Sequence, residues 1–110
     1  MTFEELRESL RKLPVEIKSD AVEFYLEAVF VDDQRPALEI VLSQYFGSPF
    51  KMANQSPTPE SDAYAGRYGG AKANQTLYVK TREGGGLAAD VALIWPWNAG
   101  GRYTLKLMRG

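Results

Sequence analysis

The N-terminal residues carry apolar side chains with the period of an α-helix. These side chains recur at spacings of three and four: Phe3, Leu6, Leu10 and Leu13. Thr2 precedes them, and Glu5 stands three residues after Thr2, which is the pattern of a capping box. Pro14 cannot continue a helix because it lacks a backbone N–H. The sequence therefore predicts an amphipathic helix that begins after Thr2 and ends before Pro14.

The stretch AVEFYLEAVFV, residues 21–31, fits two periods. A helix would have one apolar stripe: Val22, Tyr25, Leu26, Val29 and Phe30. A strand would have one apolar face: Val22, Phe24, Leu26, Ala28 and Phe30. Val, Phe and Tyr favour strands, and a helix would place the like charges of Glu23 and Glu27 four residues apart. We therefore predict a strand, at an edge of the sheet.

A second helix is predicted after the turn Asp32–Pro36. Asp33 is the expected N-cap, and Pro36 is tolerated in the first turn. Gly47 is expected to end this helix. The buried stripe of the helix is predicted to be Leu38, Val41, Leu42 and Tyr45.

Residues 47–74 show neither the helical nor the strand period. They contain three prolines and four glycines. A long segment without regular structure is unusual inside a domain and is usually either mobile or functional. The sequence therefore predicts a long irregular loop here, with the best candidates for binding residues.

The last third of the chain alternates apolar and polar positions in three runs, as strands do. The tracts at residues 83–86 and 98–101 are rich in glycine and predict turns, so the three strands form an antiparallel meander. The predicted inner face is apolar: Leu77, Val79, Val91, Leu93, Trp95, Tyr103, Leu105 and Leu107. The predicted outer face is mixed: Tyr78, Lys80, Arg82, Ile94, Thr104, Lys106 and Met108. Trp97 continues the inner face toward the rim.

These elements predict an α+β fold with two helices packed on one face of an antiparallel sheet. The order is helix, strand, helix, long loop and three-stranded meander, in one domain over residues 1–110.

The composition disfavours catalysis, because the chain contains neither cysteine nor histidine. Thiolate chemistry is thereby excluded, and the commonest general base and transition-metal ligand are missing. We expect no cofactor, no metal and no catalytic residues, so a small hydrolase is the least favoured alternative. The N-terminus lacks the pattern of a signal peptide, and no window reaches the length of a membrane span. The sequence therefore predicts a cytoplasmic protein without a membrane partner.

Charge is distributed unevenly along the chain. The net charge is −1, with −5 over residues 1–46 and +4 over residues 47–110. Three alternatives would account for this difference in charge: an acidic helix surface beside a sheet, a basic binding face, or a head-to-tail contact between subunits.

The outer sheet face and the Gly-rich loop carry the residue types that are enriched at interfaces. The candidate binding residues are Tyr64, Arg67, Tyr68, Lys72, Tyr78, Lys80, Arg82, Trp97 and Lys106. We expect a non-catalytic module that binds a protein partner or assembles with itself. Anion or nucleic-acid binding through the same residues is the alternative, although the pI of about 5.4 argues against a strong polyanion binder.

Overall fold

The computed structural model of the chain describes residues 1–22, 24–66, 73–81 and 89–109. The predicted α+β class is confirmed. The helices and strands are α1 (Phe3–Arg11), β1 (Glu16–Ser19), β2 (Tyr25–Val31), α2 (Arg35–Phe46), α3 (Pro59–Tyr64), β3 (Thr76–Thr81), β4 (Ala89–Pro96) and β5 (Arg102–Met108). Along this described part of the chain, no helix combines the length and the apolar character that crossing a membrane requires.

The five strands form one antiparallel sheet in the order β1-β2-β5-β4-β3. The meander β3-β4-β5 agrees with the prediction. The strand predicted over residues 21–31 is confirmed only from Tyr25 onward, and Val22 and Phe24, which were expected on its apolar face, precede it and are exposed. The predicted edge position of β2 is wrong, because β1 pairs with its outer side. β1 alternates between exposed and half-buried residues, but it has only four residues and a register irregularity between Ile17 and Ser19, so its pattern is too short to predict a strand by itself. The turn predicted at residues 83–86 lies outside the described residues.

The first helix begins as its sequence indicates. The Thr2 hydroxyl accepts a hydrogen bond from the Glu5 backbone N–H at 3.1 Å, and the Glu5 carboxylate accepts one from the Thr2 backbone N–H at 3.0 Å. Two backbone donors that would otherwise lack an intrahelical partner are thereby satisfied. The helix presents Phe3, Leu6 and Leu10 to the core.

The second helix begins one residue later than predicted, and Asp33 is not its N-cap. A 3₁₀ turn over Asp32–Gln34 precedes the helix, and Gln34 occupies the cap position without a side-chain hydrogen bond. An N-cap needs an extended backbone, whereas Asp33 already lies inside a helical turn. The predicted end is right, since Gly47 follows the helix with φ of 77°, which favours glycine.

Both long helices pack on the same face of the sheet. Their buried side chains form a hydrophobic core with residues from β2, β3, β4 and β5. This core contains Phe3, Leu6, Leu10, Leu26, Phe30, Leu38, Leu42, Tyr78, Ala92, Ile94, Leu105 and Leu107. Phe30 stacks on Tyr103 with ring centroids 5.1 Å apart, and both side chains belong to this layer.

The strand pairing corrects the predicted division of the meander into two faces. Ile94 lies opposite Leu105, and Leu93 lies opposite Lys106, so β4 is shifted by one residue from the predicted register. Tyr78 and Ile94, predicted to face outward, are therefore buried under the helices with 2% and 1% of their surface exposed. Alternation assigns faces within one strand, but the turn between two strands decides how their faces align. Because both faces of β4 are largely buried, its sequence lacks the polar positions that would have identified the outward face.

The opposite face of β3 and β4 is covered by a second layer of the same chain. Tyr64 and Ala65, at the end of α3, pack with outward side chains of these strands: Leu77, Val79, Val91, Leu93 and Trp95. The helix begins with its own capping box, in which the Thr58 hydroxyl accepts from the Ser61 backbone N–H at 3.1 Å. Part of the segment predicted to be irregular therefore forms a short helix with a packing role.

Lys51 ties this segment to the edge of the sheet. Its backbone pairs with Leu77, and its ammonium group, with 3% of the residue exposed, donates to three backbone carbonyls: Met52 at 3.0 Å, Ala73 at 3.1 Å and Gln75 at 2.7 Å. Burial lowers the pKa of Lys51 below its ordinary value, because a low-dielectric environment disfavours the charged form. The three carbonyls compensate for part of the solvation that the ammonium group has lost.

The observed register can be tested with a matched pair of substitutions. We expect Ile94→Ala to lower the free energy of unfolding by about 2–5 kcal/mol, because it leaves a cavity in the helix-covered core. Ile40→Ala removes the same atoms from a side chain that is 60% exposed on α2, and it should change stability by less than about 0.5 kcal/mol. Urea unfolding measures the free energy of unfolding of both variants, and an equal loss in the two would contradict the register.

The capping box of α1 predicts a pH-dependent contribution. The hydrogen bond from the Thr2 backbone lowers the pKa of Glu5 below 4.5. Because this pKa is lower in the folded chain, the stabilisation is present above pH 4.5 and is lost as the pH falls through the folded-state pKa. We expect Glu5→Gln to be less stable than the parent at neutral pH and equally stable well below pH 4.5. A difference in urea midpoints that does not change with pH would be inconsistent with this account.

Candidate functional site

One part of the sheet surface is left uncovered by both helical layers. α1 and α2 cover one side of the sheet, while α3 covers only the β3-β4 half of the other side. The outward side chains of β2, β5 and the end of β4 form what we call the open face. Among the described residues it comprises Tyr25, Glu27, Val31, Trp95, Trp97, Arg102, Thr104, Lys106 and Met108. Val29 lies on the same face of β2 but is buried, with 5% of its surface exposed.

A chain of polar contacts crosses the centre of the open face. The ammonium nitrogen of Lys106 lies 3.9 Å from the centroid of the Trp95 ring and 3.7 Å from Oε1 of Glu27. The Tyr25 hydroxyl donates to the same carboxylate oxygen at 2.8 Å. The cation is thereby held against an aromatic ring and beside an anion, which stabilises its position and offsets most of its charge.

Trp97 is an exposed aromatic side chain whose orientation is nonetheless restrained. It is 42% exposed, and its indole N–H donates to the Thr104 hydroxyl at 2.8 Å. The guanidinium carbon of Arg102 lies 5.9 Å from the ring centroid. Val31, also partly exposed, occupies the strand position opposite Arg102. The rim of the open face is therefore an apolar and cationic patch, in which the hydrogen bond to Thr104 restrains the Trp97 side chain.

The turn after β4 positions this patch. Gly100 and Gly101 have φ of 77° and 75°, a region that side chains disfavour. The Trp97 backbone N–H donates to the Arg102 carbonyl at 2.9 Å, and the Gly100 N–H donates to the Trp97 carbonyl at 2.9 Å. The glycines allow the tight reversal that brings Trp97 beside Arg102.

Acidic and basic side chains are separated across the open face. Glu27 lies on β2 and Glu16 on the neighbouring β1, whereas Arg102 and Lys106 lie on β5. The pKa of Glu16 is lowered, first by a hydrogen bond from Lys18 and to a smaller extent by the positive charge of Arg102. Since Glu16 is already paired with Lys18 on β1, the acidic column of the open face consists of Glu27 on β2 alone, next to a basic column of Arg102 and Lys106 on β5.

The structure brings two of the predicted binding residues, Trp97 and Lys106, onto the open face. Tyr64 lies at its border on α3, with its ring edge-on to Phe50 at 5.3 Å. Four predicted residues lie outside the described ranges: Arg67, Tyr68, Lys72 and Arg82.

The predicted outward placement of Tyr78 and Lys80 is wrong. Tyr78 belongs to the helix-covered core, and Lys80, two residues along the same strand face, holds its ammonium nitrogen 4.1 Å from the ring centroid of Tyr45 on α2. The one-residue register difference explains both, since it exchanges the two faces of β3 and β4 relative to β5.

Sequence reasoning missed Arg102, Glu27 and Val31. A signal for Arg102 was present, because the turn residues 98–101 make Trp97 and Arg102 the two ends of a hairpin connection. Glu27 and Val31 could not be found in this way. Their position beside β5 depends on a pairing between strands that are far apart in the sequence.

Asp90 is an acidic residue in the otherwise apolar strand β4, and it is buried. The Tyr45 hydroxyl donates a hydrogen bond to its carboxylate, which accounts for a charge at this depth. In the ranges that the structure describes, no three acidic side chains lie close enough together to hold a metal ion. The open face itself is therefore the basis for assigning a function, because comparison with protein-family models, with curated proteins and with solved structures found no match.

The contacts of Lys106 predict a measurable contribution to stability. We expect Lys106→Met to destabilise the fold by about 1 kcal/mol, because the cation loses both the Trp95 ring and Glu27. Lys18→Met is the matched control, since Lys18 is paired only in an exposed ion pair with Glu16 on the edge strand, and it should be close to neutral. Urea unfolding distinguishes the two, and a Lys106 variant as stable as the control would show that the central contacts contribute nothing.

Proposed function

We propose that this chain is a non-catalytic binding module that uses the open face to bind a protein. Among protein partners, a second copy of the chain is the one that the charges of the face favour. A cytoplasmic location, predicted from the sequence, is part of this proposal. The observation that carries the proposal is the restrained and exposed Trp97 beside Arg102.

The physical support comes from what binding costs. A side chain that binds must lose its freedom, and Trp97 has already lost much of it through its bond to Thr104. Trp and Arg are the residue types that most often dominate binding energy at protein interfaces. Covering the Trp97 ring and Val31 would also remove apolar surface from water.

The charge pattern supports self-association in particular. In a two-fold symmetric interface each residue meets a symmetry-related set, so the face must complement itself. Consider a two-fold axis that runs along the strands between β2 and β5. Rotation about it would place the β5 cations of one copy over the acidic column of the other. Glu27 and Lys106 occupy the same row of the sheet, so these two positions would face each other.

Nucleic-acid binding has weaker support from the residues that suggested it. Lys106 is engaged with Glu27, and Lys80 lies over Tyr45 on the side of the sheet that the helices cover. A polyanion would have to displace Glu27 from Lys106, and it could not contact Lys106 and Lys80 together because they lie on opposite faces of the sheet. Salt-dependent binding to an oligonucleotide would favour this alternative.

The test is the oligomeric state in solution, measured by light scattering over a range of concentrations. We expect the parent to approach the mass of a dimer and Trp97→Ala to weaken association at least tenfold, because the exposed aromatic side chain of the open face is lost. Phe24→Ala is the matched control. Phe24 is an exposed aromatic residue that lies beside Phe3 and Arg109 rather than on the open face, and its loss should leave association unchanged.

A charge exchange checks the orientation of the copies. Lys106→Glu alone should weaken association, and the double variant Glu27→Lys with Lys106→Glu should restore it, because the columns are exchanged in both copies. A parent that stays monomeric at its solubility limit would exclude self-association. A dimer that is indifferent to Trp97→Ala would show that another surface is used.

A further inference from the structure

A second site candidate lies on the other side of the sheet, away from the open face. It is a cavity of about 300 Å³ between α2, the β3 edge and the segment 49–53. This volume is at the lower end of the range found for small-molecule sites. The walls from α2 carry Arg35, Glu39 and Ser43, and β3 contributes Thr76 and Tyr78. The segment 49–53 adds an apolar wall of Pro49, Met52 and Ala53.

The floor of the cavity is polar although it is deeply buried. Thr76 and Tyr78 are almost entirely removed from solvent, and the Tyr78 hydroxyl shares a hydrogen bond with the Ser43 hydroxyl. Burial raises the pKa of Tyr78, with a smaller contribution from the negative charge of Glu39. Perturbed groups that converge on a cavity are typical of binding sites, whereas an ordinary core contact would be apolar.

The rim carries a fixed pair of opposite charges. The Arg35 Nε donates to Glu39 Oε1 at 2.7 Å, and the guanidinium carbon lies 4.8 Å from the centroid of the Tyr103 ring. The pair lies one turn apart on α2 and is only partly exposed. A guanidinium has five donors and a carboxylate two oxygens, so the bond between them uses a small part of what each can offer.

We propose that this cavity binds a small zwitterion, specifically a free α-amino acid with an aliphatic side chain. Its carboxylate would meet Arg35 and its ammonium group would meet Glu39, so that both charges gain a partner. A simple anion or cation would gain one partner and be repelled by the other. The aliphatic group would lie against the apolar wall of segment 49–53, with the hydroxyls of the floor available to the polar end.

The test is calorimetric titration of the full chain with L-leucine. Two analogues provide the comparison: 3-methylbutylamine, which lacks the carboxylate, and 4-methylpentanoate, which lacks the ammonium group. We expect saturable binding of leucine and at least tenfold weaker binding of each analogue, because each analogue makes only one of the two charge contacts and is repelled by the other member of the pair. Leucine should also raise the melting temperature, and the rise should continue with the logarithm of its concentration after the site is saturated.

Three variants test whether leucine binds in this cavity. Glu39→Gln can keep a hydrogen bond to Arg35 but loses the negative charge, and it should weaken leucine binding at least tenfold. Tyr78→Phe keeps the buried ring and removes the floor hydroxyl, so it should weaken binding without the packing loss of a larger change. Gln44→Ala, an exposed position on the same helix outside this cavity, should bind leucine as the parent does.

Several outcomes would overturn the proposal. These are an absence of saturable leucine binding, equal binding of 4-methylpentanoate, which would indicate a simple anion site, and unchanged binding in both Glu39→Gln and Tyr78→Phe. The result is separable from self-association, because Trp97 lies on the opposite side of the sheet and Trp97→Ala should bind leucine normally.

Discussion

The pairing of β4 with β5 is the constraint on which the rest of this structure depends. Ile94 opposite Leu105 directs one set of side chains under α1 and α2, and Leu93 opposite Lys106 directs the other set toward α3. A shift of one residue would exchange the two sets and expose an apolar row. Both faces of β4 are therefore buried over residues 89–94, and no other strand in the described ranges has six successive buried residues.

The unequal cover of the two sheet faces connects the fold to the proposed function. The long helices cover one face, whereas the short α3 reaches only the β3-β4 half of the other. The remaining half carries Trp97 and the Lys106 contacts. An antiparallel sheet can leave one face in water, and the proposed partner would cover the exposed Trp97 on this half of the sheet.

The open face and the cavity are built from similar contacts with different consequences. In both, a cation lies against an aromatic ring and beside a glutamate: Lys106 with Trp95 and Glu27, and Arg35 with Tyr103 and Glu39. On the open face this arrangement is broad and shallow, which suits a protein surface. At the cavity it stands over a polar floor of small volume, which suits a small molecule.

Local patterns in the sequence determined α1 with its capping box, the end of α2 at Gly47, the strand character of residues 25–31 and the meander, because each depends on neighbouring residues alone. Only the tertiary structure decided the cap of α2, the edge strand β1, the helix at Pro59–Tyr64 and the burial of Tyr78. Of the candidate site, Trp97 and Lys106 could be predicted, whereas Glu27 and Val31 could not. The reason is that alternation and capping act over a few residues, while register and cover depend on contacts between segments distant in the chain.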